Sequence, residues 1–443
     1  MAISTDPTPT EPISIQGGGP SFRNSIRSLR YPAYARFQGA HIFLHITVWM
    51  QRIAIDWLAL ELTGSVAVVG LLVFVQWGPM LVLGQWGAVI ADRLPRRAAV
   101  VGCYATFSVL TAVLATLSLL GALQLWHVLV IAFLVGCVYT IEVPSRVVFF
   151  SEMVAQKDLS NAIGVYAIVF WIGGVIGPIL GGGMLAAGAA GWCIAAYAAA
   201  TAGVAITVAS LRRSQLIEVP HASPAQGQIR EAIRYARSKP TIFWPMVLVA
   251  SLAVFAMPIS PVLASLARDT FRTGAEGYGL YSSLLAVGAV AGAILSTGIR
   301  ELRLRVIIAL AMGVGVLLAL SSAAPSSLWF CVVLVAAGCL RLLYEVLSDS
   351  LVQLSSNLRV RGRIVSLYVA IVVGGQAIGS PGMGLLTDAF GPRAALIVAG
   401  AVPLCTAITV GVHLARTGSL RVRVRLRRGQ SIISLVAPDR TEL

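Results

Sequence analysis

The chain of 443 residues is 57% hydrophobic and 12% charged, with a mean hydropathy of +0.85 and a net charge of +15. A water-soluble globule of this composition would aggregate, so lipid is the solvent for most of it. The positive charge does not imply nucleic acid, because its placement along the chain follows membrane topology.

The first 36 residues are rich in Pro, Thr, Ser and Gly and have no apolar core behind a basic start. They read as a disordered tail and not as a cleavable signal. Twelve apolar stretches of about 20 residues follow, at 37–60, 66–91, 98–120, 126–150, 161–187, 192–211, 241–265, 277–299, 305–323, 327–351, 363–387 and 393–415. Continuous apolar runs, unlike alternating ten-residue strands, select helices in hydrocarbon. The expected fold class is an all-α membrane protein. Its expected units are a tail (1–36), a six-helix bundle (37–211), a linker (212–240), a second six-helix bundle (241–415) and a basic tail (416–443).

Of the 33 Arg and Lys, 28 fall on the N-terminal tail, the even-numbered connectors with the span ends beside them, and the C-terminal tail. Arg268, Arg272 and Arg393 lie on the other side, and Arg52 and Arg341 within spans. The positive-inside rule therefore puts both termini in the cytoplasm of a multi-pass membrane protein. The cluster Arg421, Arg423, Arg425, Arg427 and Arg428 is better matched to anionic lipid than to nucleic acid. All six cysteines sit in apolar spans without metal-type spacing and behave as small buried hydrophobes.

Span one carries the densest polar pattern. At 100° per residue His41, His45, Arg52 and Asp56, with Gln38 and Trp49, fall within an arc of about 80°. Ionisable groups in a membrane helix usually face an aqueous cavity, so this stripe is a candidate wall of a translocation path. The other reading is an Arg52–Asp56 pair that neutralises itself, with two hydrogen-bonded histidines holding helices together. Span four adds Glu142 and Arg146, and span ten adds Arg341, Glu345 and Asp349, each four residues apart. A carboxylate alternating between an Arg partner and a dry pocket can carry a proton. Glu142 and Glu345 lie deepest in their spans, with Asp56 nearer the outer end. Trp49, Trp77, Trp86 and Trp171 are candidate pocket aromatics, although tryptophan also suits lipid interfaces.

In the linker, Ile229, Ala232, Ile233 and Ala236 recur at helical spacing opposite Arg230, Glu231, Arg234 and Arg237, which predicts an amphipathic surface helix. The two halves are related. A shift of 202 residues brings Gly136-Cys137 onto Gly338-Cys339, Tyr166 onto Tyr368, Gly173 onto Gly375 and Gly177 onto Gly379. Parallel repeats with a substrate site between the halves near mid-membrane are common among secondary transporters.

Between spans two and three runs Ala88-Val89-Ile90-Ala91-Asp92-Arg93-Leu94-Pro95-Arg96-Arg97. It resembles the loop-two signature of the major facilitator superfamily, G-x-L-A-D-R-x-G-R-R, with Ala88 and Pro95 in place of both glycines. The resemblance implies a twelve-helix major facilitator fold and makes Asp92, Arg93, Arg96 and Arg97 candidates for a cytoplasmic gate. Purely topogenic charge would explain the arginines but not the acid. Span five contains Gly173, Gly177, Pro178, Gly181 and Gly182 in the pattern G-x-x-x-G-P-x-x-G-G, similar to the antiporter signature of drug and proton exchangers in that superfamily. Close packing of a glycine-rich helix is the alternative. MQRIAIDWLALELTGS (50–65), IEVPSR (141–146) and KDLSNAIG (157–164) resemble the subgroup of enterobactin exporters and multidrug efflux proteins, the transmembrane secretion effectors.

These resemblances imply proton-driven export of an amphipathic small molecule, a drug, siderophore or natural product, by a monomeric protein of a bacterial inner membrane without a cofactor. The chain has no G-x-x-x-x-G-K-[ST] loop and hence no phosphate cradle for ATP. A solute importer of the same fold is the alternative. A membrane-embedded enzyme is remote: His41-x-x-x-His45 hints at a metal pair, but His127, His221 and His413 are distant from it and no acid-rich cluster completes a site.

Overall fold

The computed structural model describes residues 13–14, 27–212, 229–299, 301–416, 421–424 and 433–436. Six long helices form the first half: α1 (Pro32–Thr63), α2 (Val66–Arg93), α3 (Arg96–Leu119), α4 (Leu125–Met153), α5 (Leu159–Ala186) and α6 (Ala190–Ser210). A short helix α7 (Ile229–Ser238) precedes the second half. That half comprises α8 (Pro240–Phe255), α9 (Ser260–Ser265), α10 (Gly274–Ser296), α11 (Leu304–Ser321), α12 (Ser327–Leu354), α13 (Leu358–Phe390) and α14 (Pro392–Arg416). Outside the helices, the described residues include two short antiparallel pairs, Ile13–Ser14 with Glu301–Leu302 and Arg421–Val424 with Ile433–Val436.

Among the described residues, eleven segments, with α8 and α9 counted as one, are long and apolar enough to cross a membrane. The twelfth is α1. It is 32 residues long, but Gln38, His41, His45, Gln51, Arg52 and Asp56 dilute its hydropathy. All of these except Arg52 are buried, so the helix spends its polar residues on the protein interior and not on lipid. The chain is thus an all-α membrane protein with twelve membrane-crossing segments.

Glycine seams make the repeat visible in three dimensions. Gly136 of α4 lies against the Gln76 carbonyl of α2, and its repeat mate Gly338 of α12 lies against the Leu285 carbonyl of α10. Gly173 and Gly177 of α5 meet the α1 backbone at His45 and Ile46, while Gly375 and Gly379 of α13 meet α8 at Ala253 and Val254. Small residues four apart let backbones approach this closely. The halves join where α2 packs on α13 and α5 on α10.

Three features depart from the sequence expectation. Order begins before residue 36. Arg27 pairs with Asp158 at 2.5 Å, Ser28 N–H donates to Asn161, and the Tyr34 hydroxyl donates to the Ala162 carbonyl, so 27–36 is bound to the start of α5. Residues 15–26 lie outside the described residues, as do 1–12. In α7, Ala232 and Ala236 are buried but Ile233 is exposed, because the helix is held at Tyr235, whose hydroxyl accepts from Asn357 N–H. Span seven is broken after Phe255, where Pro258 and Pro261 lack the N–H groups a continuous helix needs. Of the basic tail, Arg416 and the strand pair are described. Arg421 and Arg423 fall in the pair, whereas Arg425, Arg427 and Arg428 lie outside the described residues.

Candidate functional site

The helix ends define two faces. The tail face carries the start of α1, the α2–α3 turn and the end of α14; the far face carries the α1–α2 turn and the α8–α9 break. A cavity of about 220 Å³ lies inside the first half. Every residue of its lining comes from α1–α6, so the void is displaced from the position between the halves that repeat architecture predicts. The second half makes hydrogen bonds to its wall at Asp56. Trp49, Trp77, Phe107, Tyr139, Tyr166 and Phe170 supply much of the wall. Polar groups are few: His45, Gln51, Arg52, Asp56, Glu142 and Arg146 are the principal ones. An apolar, aromatic chamber with a few convergent charges is the usual form of a small-molecule site.

The α1 stripe is real but not self-contained. Arg52 forms no ion pair with Asp56; its guanidinium stands 5.7 Å from the Trp49 ring centroid and has no carboxylate partner among the described residues. Asp56 turns instead to the second half, where its Oδ2 accepts from Ser260 Oγ at 2.6 Å and from the Tyr278 hydroxyl at 2.7 Å. Those two hydroxyls are themselves 2.6 Å apart. The break between α8 and α9 is what brings Ser260 to this point. His41 is fully buried, whereas His45 packs edge-on against Tyr166 and Phe170 at 4.8 and 5.2 Å, with its Nε2 unpartnered among the described residues. Gln38 is buried, and neither amide atom has a partner among the described residues.

Glu142 and Arg146 pair at 2.6 Å, with the Glu142 side chain 2% exposed. The Tyr104 hydroxyl donates to the same carboxylate at 2.8 Å, and Arg146 lies 4.5 Å over the Tyr166 ring. Span ten behaves differently. Arg341 and Glu345 pair at 3.3 Å, and the Glu345 side chain is 27% exposed, so it is more exposed than Glu142 or Asp56. Asp349 accepts from Gln353 Nε2 at 2.7 Å. Arg341, Glu345 and Asp349 are all absent from the cavity wall. Trp77 lines it and stacks on Tyr139. Trp86 does not; it is 63% exposed on the outer surface. Trp171 packs edge-on against Phe170 without reaching the wall.

The gate candidates divide in two. Arg96 pairs with Glu152 at 3.0 Å and Arg97 donates to the carbonyls of Val208 and Ala209, so both tie α3 to α4 and α6 within the first half. Asp92 and Arg93 are exposed on the tail face and have no partner among the described residues. The far face, by contrast, is latched. Asp388 near the end of α13 accepts from Ser65 Oγ at 2.6 Å, Val66 N–H at 2.8 Å and Ala67 N–H at 2.9 Å. It caps α2 from the opposite half, satisfying amides that Ser65 does not cap itself. Gly64, in the left-handed region at φ 70°, ends α1 and offers its carbonyl to Arg268 Nη2 at 3.2 Å. The polar contacts that Asp56, Gly64 and Asp388 make between the halves thus all lie toward the far face.

The span-five pattern sits at a three-helix seam. A Cβ at Gly173 or Gly177 would come within 2.5 Å of α1 backbone atoms, and one at Gly181 within 3.1 Å of Met50. A Cβ at Gly182 would come within 2.8 Å of the Ala275 carbonyl oxygen of α10, and the Pro178 carbonyl abuts Gly279. The motif therefore presses α5 between α1 and α10. Gly177→Ala is expected to cost about 1–3 kcal/mol of overpacking, read as a lowered melting midpoint of the purified protein, whereas Gly183→Ala, which meets nothing within 4 Å, leaves it unchanged.

Tyr104, Ser260, Tyr278 and Asp388 are not marked out by the sequence motifs. The Pro258-Ile259-Ser260-Pro261 string is the one local signal that points to any of them, since prolines inside an apolar span announce a discontinuous helix.

Twelve membrane helices in two glycine-seamed bundles, the first enclosing an aromatic cavity, have the form of a membrane transporter. The chain matches the transmembrane secretion effector family over residues 24–438, and it belongs to that family of major facilitator transporters. Its function is therefore transport of a small molecule and not enzymatic. Among curated relatives, the enterobactin exporter EntS of Salmonella choleraesuis is 26% identical over 84% of this chain and 89% of its own length. EntS of Escherichia coli O1:K1 is 25% identical over 90% and 93%. Similar solved folds include a bacterial homologue of the iron transporter ferroportin in an inward-facing state (TM-score 0.66, 15% identity, covering 86% of this chain and 98% of that one). A bacterial homologue of the human lysosomal transporter Spinster, inward-facing and unoccupied, gives a TM-score of 0.63 at 18% identity, covering 87% and 96%.

Proposed function

We propose that this transporter exports an amphipathic small molecule across a bacterial inner membrane in exchange for protons, by alternating access. The observation that carries the reading is Asp56: a buried acid on the wall of an aromatic cavity that also holds the second half through Ser260 and Tyr278. Proton loss from such a group changes a contact between the halves, which is what coupling requires. With both termini cytoplasmic by the distribution of Arg, the far face is periplasmic. The Asp388 latch then closes the outer side, while on the inner side Asp92 and Arg93 have no partners among the described residues and the Ile13–Ser14 strand pairs with Glu301–Leu302 of the second half. In this cycle Asp92 and Arg93 engage when the inner side closes, and the span-five seam carries the movement of α5 against α1 and α10.

The cavity fits a substrate with an aromatic portion and a negative or strongly polarised oxygen, met by the ring faces and by Arg52. A catecholate siderophore has this chemistry, as does many an aromatic natural product, and the curated relatives are enterobactin exporters by name. One proton returning through about 180 mV supplies roughly 4 kcal/mol, enough for a gradient of about a thousandfold.

Direction is tested in cells loaded with a radiolabelled catecholate siderophore. Expression of the protein should lower retained label, and a protonophore should restore it. Label that rises on expression would make the protein an importer.

A further inference from the structure

Five groups of the first half stand in one hydrogen-bonded file. The Phe37 carbonyl lies 2.9 Å from His41 Nδ1, His41 Nε2 lies 3.0 Å from the Tyr104 hydroxyl, and that hydroxyl lies 2.8 Å from Glu142 Oε1. The same Oε1 accepts from Arg146 Nε at 2.6 Å. A carbonyl only accepts, so Nδ1 carries a proton. A neutral imidazole then presents a bare Nε2, and an ionised Glu142 presents only lone pairs. The single Tyr104 proton cannot serve both neighbours.

One further proton completes the file. On Nε2 it makes an imidazolium that donates to the Tyr104 oxygen, whose own proton goes to the carboxylate. On Oε1 it makes a carboxyl that donates to the Tyr104 oxygen, whose proton goes to Nε2. The two arrangements carry the same charge and differ by two proton hops.

We infer that His41, Tyr104 and Glu142 form a one-proton site, loaded from the cavity at Glu142 and stored at His41, with Tyr104 as the relay. On loading, an incoming proton bonds to Oε1, Oε1 passes a proton to the Tyr104 oxygen, and the Tyr104 proton moves to Nε2; release to the cavity is the reverse. Tyr104 and Glu142 line the cavity, whereas His41 is fully buried behind them. The relay is therefore the path between the stored proton and water.

The surrounding titratable and charged groups are Tyr34 and His45 on α1, Cys103 on α3, Arg146 and Tyr139 on α4, Tyr166 on α5 and Tyr197 on α6. Arg146, held by Glu142 and the Tyr166 ring, favours an ionised Glu142 carboxylate over a protonated one. His45 is 5.5 Å away, ring to ring, and outside the file. The site is separate from Asp56, fifteen residues along α1, or about 22 Å. Its part in transport rests on the proposed proton exchange; its occupancy does not.

The test uses the full chain in lipid nanodiscs with 15N-labelled histidine, His41→Gln assigning the His41 ring signals. At pH 7 the proton should be found as an imidazolium signal of His41, or as a carboxyl infrared band that Glu142→Gln removes. Tyr104→Phe should abolish it, leaving His41 as the neutral Nδ1–H tautomer. Glu142→Gln, a second variant that keeps the side-chain volume, should likewise leave His41 neutral. A wild-type His41 that is neutral with no Glu142 carboxyl band would overturn the inference, as would an imidazolium signal that survives both variants. No substrate is needed, so the result judges the proton site independently of whether transport proves to be proton-coupled.

Discussion

Asp56→Asn is expected to reduce substrate accumulation driven by a pH gradient to background while substrate-for-substrate exchange persists. The geometry gives the reason. Asp56 Oδ2, Ser260 Oγ and the Tyr278 hydroxyl form a triangle with sides of 2.6, 2.6 and 2.7 Å. An ionised carboxylate leaves two protons for three contacts, whereas a protonated one supplies all three. The closed far face is thus satisfied with a proton on Asp56 and unbalanced without it. Asparagine offers both a donor and an acceptor, so it mimics the protonated side chain but cannot release a proton. Reconstituted protein at matched abundance, assayed with an imposed pH gradient and then in counterflow without one, reads the two activities separately. Loss of both would make Asp56 structural.

Asp388→Ala should open the far face. Three donors of the first half converge on this one carboxylate, and loss of a helix cap costs about 1–2 kcal/mol, a shift of roughly five- to thirtyfold in the balance of the two states. Because the cap spans the halves, its loss is felt as a change in gating and not as fraying of α2 alone. Spin labels placed on the far-face ends of α2 and α13 report the effect directly. The distance distribution should gain a long component in Asp388→Ala, and Asp388→Asn, which keeps an acceptor, should fall between it and the wild type. Unchanged distributions would show that the apolar α2–α13 seam holds the face closed by itself.

Much of this was legible in the sequence because it is local. Helix count follows from apolar run length, and the α1 stripe follows from angular spacing, since a helix can place His41, His45, Arg52 and Asp56 on one face in only one way. The Glu142–Arg146 pair was readable for the same reason, being four residues apart. What the sequence could not show is which partner each group chooses across the fold. Arg52 and Asp56 have the spacing of an ion pair and do not form one, because Ser260 and Tyr278, more than 200 residues away, offer Asp56 hydroxyls inside the protein. Tyr104 sits in an apolar span with nothing around it to mark a relay. Glu345 looked as deep as Glu142 by position along its helix, but depth along an axis says nothing about which way a side chain faces.

Movement of substrate and protons in opposite directions through one protein is read in respiring inside-out vesicles. With a pH-sensitive dye reporting the gradient, addition of a catecholate siderophore should collapse it in vesicles carrying the wild-type chain and not in those carrying Asp56→Asn. A gradient left intact by siderophores, macrolides, tetracyclines and lipophilic cations alike, while labelled substrate still crosses the membrane through the wild-type protein, would contradict proton exchange.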